Sequence, residues 1–283
     1  RRRHTRSFHV TGVQTCALPI SHLFSWGRNH LGQLGLGNTT NYSSPKQVGS
    51  LTTWSTIVGW VNGGLAIKTD GTLWGWGYNG NGELGLNNTT AYSSPKQIGA
   101  LTNWSKIASS SLSSSVMAIK TDGSLWCWGG NGSGQLGLGN QTNYSSPKQV
   151  GALTNWRDIA NGSNQSVAVK TDGTLWTWGA NNYGQLGLGN TTYYSSPKQV
   201  GSLTNWSQVS MGYGNVSAIK TDGTLWVFGL NSQGQLGLGN ITYYSSPKQV
   251  GALTTWSSTN AGDRKSTRLN SSHVKRSRMP SSA

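Results

Sequence analysis

Between residues 21 and 262, side chains able to move protons or hold metals are few and regularly placed. Four of the six carboxylates there, Asp70, Asp122, Asp172 and Asp222, close the same Lys-Thr-Asp-Gly segment. A carboxylate before Gly in a tight turn accepts local backbone hydrogen bonds, which is a structural occupation. Glu83 stands where the other copies of its segment carry Gln, and Asp158 adjoins Arg157 as a surface pair. His22 opens the region, and His30 lies in a variable loop as a solvated imidazole. Cys127 reads as a small buried residue on a strand. Metal sites need His, Cys and carboxylates at coordinating spacing, and nucleophilic catalysis needs a nucleophile with a base and an orienting group; neither set can be assembled. The recurring GQLGLG invites comparison with a dinucleotide fingerprint, but its spacing differs and no strand–helix–strand context follows. No catalytic, cofactor-binding or metal-binding residue is expected, and the chain reads as a non-enzyme.

The 283 residues carry a formal charge of +15, with 34% hydrophobic residues, 40 Gly and 14 Trp. Such a charge suggests a polyanion partner until its location is considered. Residues 1–20 hold four arginines, and residues 263–283 hold six basic residues against Asp263, leaving +6 for residues 21–262. Val10–Ile20 and Asp263–His273 have a further relation. Eleven codons for DRKSTRLNSSH can be chosen whose reverse complement translates as VTGVQTCALPI. One DNA segment read on its two strands thus accounts for both, and that segment resembles a sequencing-library adapter. Residues 1–20 and 263–283 are therefore read as adapter-derived, and fold and function are sought in 21–262.

There a repeat dominates. Trp26-Gly27 recurs at Trp76, Trp128 and Trp178 and as Phe228-Gly229, in steps of 50, 52, 50 and 50 residues. SSPKQ recurs five times, and GQLGLGN four times with the variant GELGLNN at Gly82. Each unit suggests four short strands, around WSQVS, VSAIK, TLWVFG and PKQVG in the last copy. Four antiparallel strands per ~50 residues is the arithmetic of a propeller blade. No apolar run approaches the ~18 residues of a membrane-spanning helix, and no membrane partner is expected.

Asp172-Gly173 reads as a two-residue type I′ hairpin turn. That register sets Val169 opposite Trp176, Ala168 opposite Thr177 and Val167 opposite Trp178. Val167, Val169, Trp176 and Trp178 then share one face, and small residues the other, so that the Trp face of one blade enters the shallow side of the next.

The unit LWxWGxNxxGQLGLG, followed by a strand and then by WxxI…AIKTDGxL, resembles the regulator of chromosome condensation repeat. The resemblance covers about residues 21–262 and implies an all-β propeller, in that family typically of seven blades. Five repeats are present, cut within a blade at both ends, so the chain reads as an internal fragment of a larger propeller. A second departure is the absence of a family His three residues before the strand Ala, where Gly63, Ser115, Gln165 and Asn215 stand here.

Two parts of the unit vary between copies: the loop after the first strand and the loop after the Trp-Gly pair. They place Trp60, Asn62, Tyr78, Asn164, Gln165, Tyr183, Met211, Tyr213 and Asn215 as candidate partner-binding positions, with Trp60, Tyr78, Tyr183 and Tyr213 read as exposed. A constant frame with variable loops is how repeat proteins present binding surfaces. The reading is a non-enzymatic interaction scaffold. The resemblance also allows a guanine-nucleotide exchange factor for a small GTPase, without any residue to carry that role, and the aromatic and amide loops allow a carbohydrate-binding lectin. A protein partner is favoured over carbohydrate; specific nucleic-acid binding and oligomerisation are not expected. Lys46, Lys96, Lys148, Lys198 and Lys248 recur once per unit as a solvated ring rather than a phosphate track.

Overall fold

A computed structural model describes residues 22–50, 53–110 and 113–259; the two flanks read as adapter-derived lie outside the described residues. Every regular element among these residues is a strand, and the strands form five consecutive antiparallel sheets. Blade 1 pairs β1 (Phe24–Gly27) with β2 (Tyr42–Gln47). Blade 2 comprises β3 (Trp54–Trp60), β4 (Gly63–Lys68), β5 (Leu73–Gly77) and β6 (Tyr92–Gln97). Blade 3 comprises β7 (Trp104–Ala108), β8 (Ser115–Lys120), β9 (Leu125–Gly129) and β10 (Tyr144–Gln149). Blade 4 comprises β11 (Trp156–Asn161), β12 (Gln165–Lys170), β13 (Leu175–Gly179) and β14 (Tyr194–Gln199). Blade 5 comprises β15 (Trp206–Met211), β16 (Asn215–Lys220), β17 (Leu225–Gly229) and β18 (Tyr244–Gln249). Within each four-stranded sheet the strands pair in chain order, so every blade is a meander.

The fourth strands start at Tyr, three residues before the Pro that opens the expected PKQVG segment, and end at its Gln. Pro lacks a ladder donor and is confined to edges; accordingly each YSSPKQ strand is the sheet edge, and its register slips between the Tyr and the Lys. The first strands lie at the other edge and approach one another, β3 with β7, β7 with β11, and β11 with β15.

The expected hairpin register is wrong by one residue. Val169 faces Leu175, Ala168 faces Trp176, Val167 faces Thr177 and Ser166 faces Trp178. The loop has three residues, closed by Gly173 N–H to Lys170 O and Lys170 N–H to Thr174 O, both 3.0 Å. Only Gly173 takes positive φ, at 77°, whereas a type I′ turn needs it at Asp172 too. Asp172 is held otherwise: its carboxylate accepts the Thr174 N–H at 2.9 Å and the Thr174 hydroxyl at 2.6 Å. One residue of slip exchanges the faces. Trp176 and Trp178 therefore share a face with Ala168 and Ser166, and Val167, Val169, Leu175 and Thr177 form the other.

This arrangement explains the stacking. Met117, Ile119, Leu125 and Cys127 of blade 3 form one core with Trp156, Ile159, Ala168 and Trp178 of blade 4. Equivalent cores join blades 1 and 2, 2 and 3, and 4 and 5. The Trp face thus enters the next blade's aliphatic face, and the small residues lie beneath the indoles as space for them. Burial of each such side chain stabilises the array by about 1.5–3 kcal/mol.

Candidate functional site

Three recurring local structures account for the residues singled out above. The first is the Lys-Thr-Asp-Gly turn. In blade 4 the indole Nε1–H of Trp176 donates to Thr174 Oγ1 at 2.8 Å, extending the chain from Asp172. Trp156 meets Trp176 and Trp178 edge-on, with centroids 6.2 Å away in both contacts. Its own buried indole N–H makes no hydrogen bond, so ring contacts hold it. The Lys170 ammonium lies 3.7 Å from the Trp176 centroid and 4.8 Å from that of Trp156. Lys120 and Lys220 repeat this placement and all three are buried. Desolvation lowers their pKa. Hydrogen bonds from the following Thr or Ser, first from its hydroxyl and then from its N–H, lower the pKa of Asp70, Asp122, Asp172 and Asp222. These lysines, each two residues before a turn Asp, form cation–π contacts.

The second structure is the Gly-rich loop. Asn131 anchors it in blade 3, accepting the Leu136 N–H at 2.9 Å and donating to Asn140 O and Thr142 O at 3.0 Å. The loop then grips the next blade. Trp178 donates its indole N–H to Gln135 O at 2.8 Å, and Gly139 N–H donates to Ser195 O at 2.8 Å. A Cβ on Gly137 would stand 2.8 Å from the Trp178 ring, so glycine is required there by close approach as well as by its φ of 73°. Trp76 and Trp128 are gripped in the same way through Gln33 O and Glu83 O. GQLGLG is an inter-blade clasp. Glu83 is buried and accepts the Asn81 N–H and side-chain amide, both at 2.9 Å.

The third structure is a rim. In a meander the turns after strands one and three lie at the same end, so both variable loops reach one rim. Tyr78 N–H donates to Asn62 O, and Ala180 N–H to Asn164 O, each at 2.8 Å. Asn164 and Tyr78 are exposed there, and Asn62, Tyr183 and Tyr213 are half-buried. Tyr183 of blade 4 meets Tyr243 of blade 5 edge-on at 5.6 Å.

The other candidates face inward. Trp60, read as exposed, is 5% exposed and packs in the core between blades 2 and 3, over Gly63. Its strand extends to residue 60, and alternation turns that side chain into the interface. Gln165 is buried and donates from Nε2 to Tyr213 O at 2.9 Å, a link between blades. Met211 belongs to the core between blades 4 and 5, and Asn215 is buried at the start of β16. The rim therefore carries Asn62 and Tyr78 on blade 2 and, across blade 3, the group Asn164, Tyr183 and Tyr213.

Asp158 does not pair with Arg157. It bonds Lys106 of blade 3 at 3.1 Å and accepts the Val209 N–H of blade 5 at 3.1 Å. Arg157 donates to Trp206 O at 2.8 Å and Ser207 O at 3.1 Å. Both residues tie first strands of neighbouring blades. Cys127 is a free thiol whose pKa burial pushes up. Among the described residues no group of three or more His, Cys, Asp or Glu could hold a metal, and no helix is long and apolar enough to cross a membrane.

The same architecture occurs in solved structures. Human WBSCR16 superposes with a TM-score of 0.75 at 21% identity, over 86% of this chain and 66% of its own. Prp20p from Saccharomyces cerevisiae, described with its binding to Gsp1p and histones, gives 0.59 at 17% identity over 88% of this chain and 78% of its own. Yeast RCC1 (Prp20) bound to Kap60 gives 0.58 at 16% identity, over 93% and 82%. The chain thus spans just under two thirds of the length of WBSCR16. The regulator of chromosome condensation (RCC1) repeat matches residues 21–59, 70–117, 122–169, 172–219 and 222–267, so the chain belongs to that repeat family.

Proposed function

We propose that the protein is a non-enzymatic scaffold whose protein partner docks on the rim formed by the two variable loops. One observation carries the reading. The constant residues of the unit are consumed by turns, stacking and clasps, whereas the rim presents the residues that differ between copies, Tyr78 and Asn164 outermost. Tyrosine supplies contact area at low entropic cost together with a polar tip, which suits a protein interface. The lectin alternative is weakened by the burial of Trp60, because a sugar-stacking platform needs an open ring face.

Exchange-factor activity toward a small GTPase is the second reading, supported by the shared fold with Prp20p. One experiment addresses both. Binding of Gsp1p, other small GTPases and histones to the chain is measured beside release of fluorescent nucleotide. Binding abolished by Tyr78→Ala with Tyr183→Ala, without nucleotide release, supports the scaffold. Accelerated release establishes the exchange factor. Binding that survives both substitutions moves the docking surface off the rim.

A further inference from the structure

The connection from the third to the fourth strand ends in a further position that differs between copies: Asn41, Ala91, Asn143, Tyr193 and Tyr243. In blades 1 and 3 this residue is structural. Asn41 Oδ1 accepts the Asn29 N–H and Asn143 Oδ1 the Asn131 N–H, both at 2.7 Å, so the side chain braces the anchor of the Gly-rich loop. Tyrosine has no side-chain carbonyl with which to repeat that bond. Blades 4 and 5 thus exchange a bracing amide for a large ring, and the ring stays in solvent. Tyr193, with a blade stacked on each side of its own, is 42% exposed, and Tyr243 is 44% exposed. The exposure belongs to the position in the unit, since Asn41, Ala91 and Asn143 are exposed as well. A buried brace of this kind contributes about 1 kcal/mol, whereas a ring left in water contributes little to the fold. Exposed aromatic groups of this sort mark a contact surface.

Three tyrosines gather there. Tyr183 of blade 4 leans over blade 5, where a Cβ on Gly214 would stand 3.2 Å from its Cδ2. Its ring meets Tyr243 at an interplanar angle of 88° with centroids 5.6 Å apart, which makes a right-angled aromatic corner. Tyr193 is tied to the same loop, its hydroxyl donating to Oδ1 of Asn182, the residue before Tyr183. Asn182 and Asn164 are exposed, and Asn164 O holds the start of that loop through the Ala180 N–H at 2.8 Å. The loops that build this part of the rim, residues 161–165, 180–185, 190–193, 211–215 and 240–243, contain no Asp, Glu, Lys, Arg or His. The surface therefore consists of aromatic rings with hydroxyl and amide N–H donors, and carries no charge.

That combination selects its ligand. A charged peptide finds no counter-charge on these loops, and a helix keeps its carbonyls in its own ladder. A proline-rich segment in the polyproline II conformation differs on both counts. It has no internal hydrogen bonds, so its carbonyls are open to Tyr hydroxyl and Asn amide donors, and its prolines bring no N–H that needs an acceptor. Its rings are flat and apolar, suited to an aromatic corner, and its stiffness before binding reduces the entropy lost on docking. We propose that Tyr183, Tyr193 and Tyr243, with Asn164 and Asn182, bind an uncharged proline-rich segment of the protein partner in polyproline II conformation. This rests on the rim being the docking surface and adds the chemistry of what docks there.

The test follows the fluorescence anisotropy of a dye-labelled decaproline peptide on titration with the full chain, with a glycine–serine decapeptide as the control. The variant is Tyr193→Asn with Tyr243→Asn, which places at both positions the residue that blades 1 and 3 already carry and offers its carbonyl to the N–H of Asn181 and Asn231. Saturable decaproline binding is expected, weakened about tenfold or more in the variant. The variant's Tm is expected to equal or exceed that of the wild type, and binding to be insensitive to salt, because no charge takes part. Absence of saturable decaproline binding overturns the proposal. So does binding that the variant leaves unchanged, equal binding of the control peptide, loss of binding in salt, or a fall in the variant's Tm, which makes the rings structural. Preferential binding of maltohexaose at these tyrosines also overturns it. Where decaproline fails while binding of Gsp1p or histones depends on Tyr78 and Tyr183, the ligand class falls and the rim stands; where neither depends on the rim, both fall.

Discussion

Gly137→Ala and Gly237→Ala form a matched pair that isolates the clasp. Both glycines occupy the same loop position with nearly the same φ, 73° and 67°. An L-residue there costs about 1–2 kcal/mol of backbone strain, offset by roughly 0.4–1 kcal/mol from the stiffer unfolded chain. Gly237→Ala should therefore cost on the order of 1 kcal/mol, since its methyl meets no atom of the described residues within 4 Å. At Gly137 the same methyl stands 2.8 Å from Trp178 Nε1 and 3.1 Å from two ring carbons. That ring is fully buried and hydrogen-bonded to Gln135 O. Forcing it aside adds about 1–3 kcal/mol of overpacking and about 1 kcal/mol for the hydrogen bond. The two variants should differ by roughly 2–4 kcal/mol, which at about 2–4 °C per kcal/mol separates their Tm by on the order of 10 °C. Thermal melts by circular dichroism read the difference directly. Equal Tm for the two variants would refute the clasp, because backbone strain alone would then account for both.

Further expectations rest on single contacts. Trp60→Ala should cost about 3–5 kcal/mol in urea unfolding as a core truncation; a change within about 0.5 kcal/mol, the range of surface substitutions, would return Trp60 to the solvent. Trp178→Phe should lower stability by about 1–2 kcal/mol through loss of the indole bond to Gln135 O, whereas Phe228→Trp should leave it equal or higher by offering Gln185 O the missing donor; urea midpoints showing the opposite order would contradict this. The four turn aspartates titrate below the ordinary carboxylate value in the folded chain. Their stabilisation is present above the unfolded pKa and lost as pH falls through the folded one. Asp122→Asn with Asp172→Asn, which keeps the acceptor oxygens, should flatten the acid limb of Tm against pH, and an unchanged limb would count against the assignment. Lys120, Lys170 and Lys220 are also lowered, here because desolvation disfavours the buried ammonium, so stability likewise rises with pH between their folded and unfolded pKa values.

The legibility of each feature follows its range in the chain. The 50-residue period announces blades because each unit supplies the same strands and turn residues, information that is wholly local. Asp-Gly announces a hairpin, yet its length escaped the reading because the deciding contacts belong to the next residue. Thr72, Ser124, Thr174 and Thr224 each give the Asp a hydroxyl partner, which stabilises the three-residue turn over the two-residue one. A hydroxyl residue after every Asp-Gly was the available signal. The rim loops were located by their variation, but variation does not distinguish Tyr78, which points outward, from Trp60, which the extended β3 turns into the core.

Sequence alone determined that this is an all-β array of repeated meanders, because that property depends on residue types and spacing along the chain. Tertiary structure decided which face each Trp takes, since one residue in a turn exchanges faces. It also decided that the lysines stack on indoles, that Asp158 and Arg157 bind neighbouring blades, and that the glycines exist for close approach. The Trp faces and the lysine stacking follow from strand pairing within one sheet. The Asp158, Arg157 and glycine contacts instead join residues about a blade apart, which only the stacking of one sheet on the next brings together.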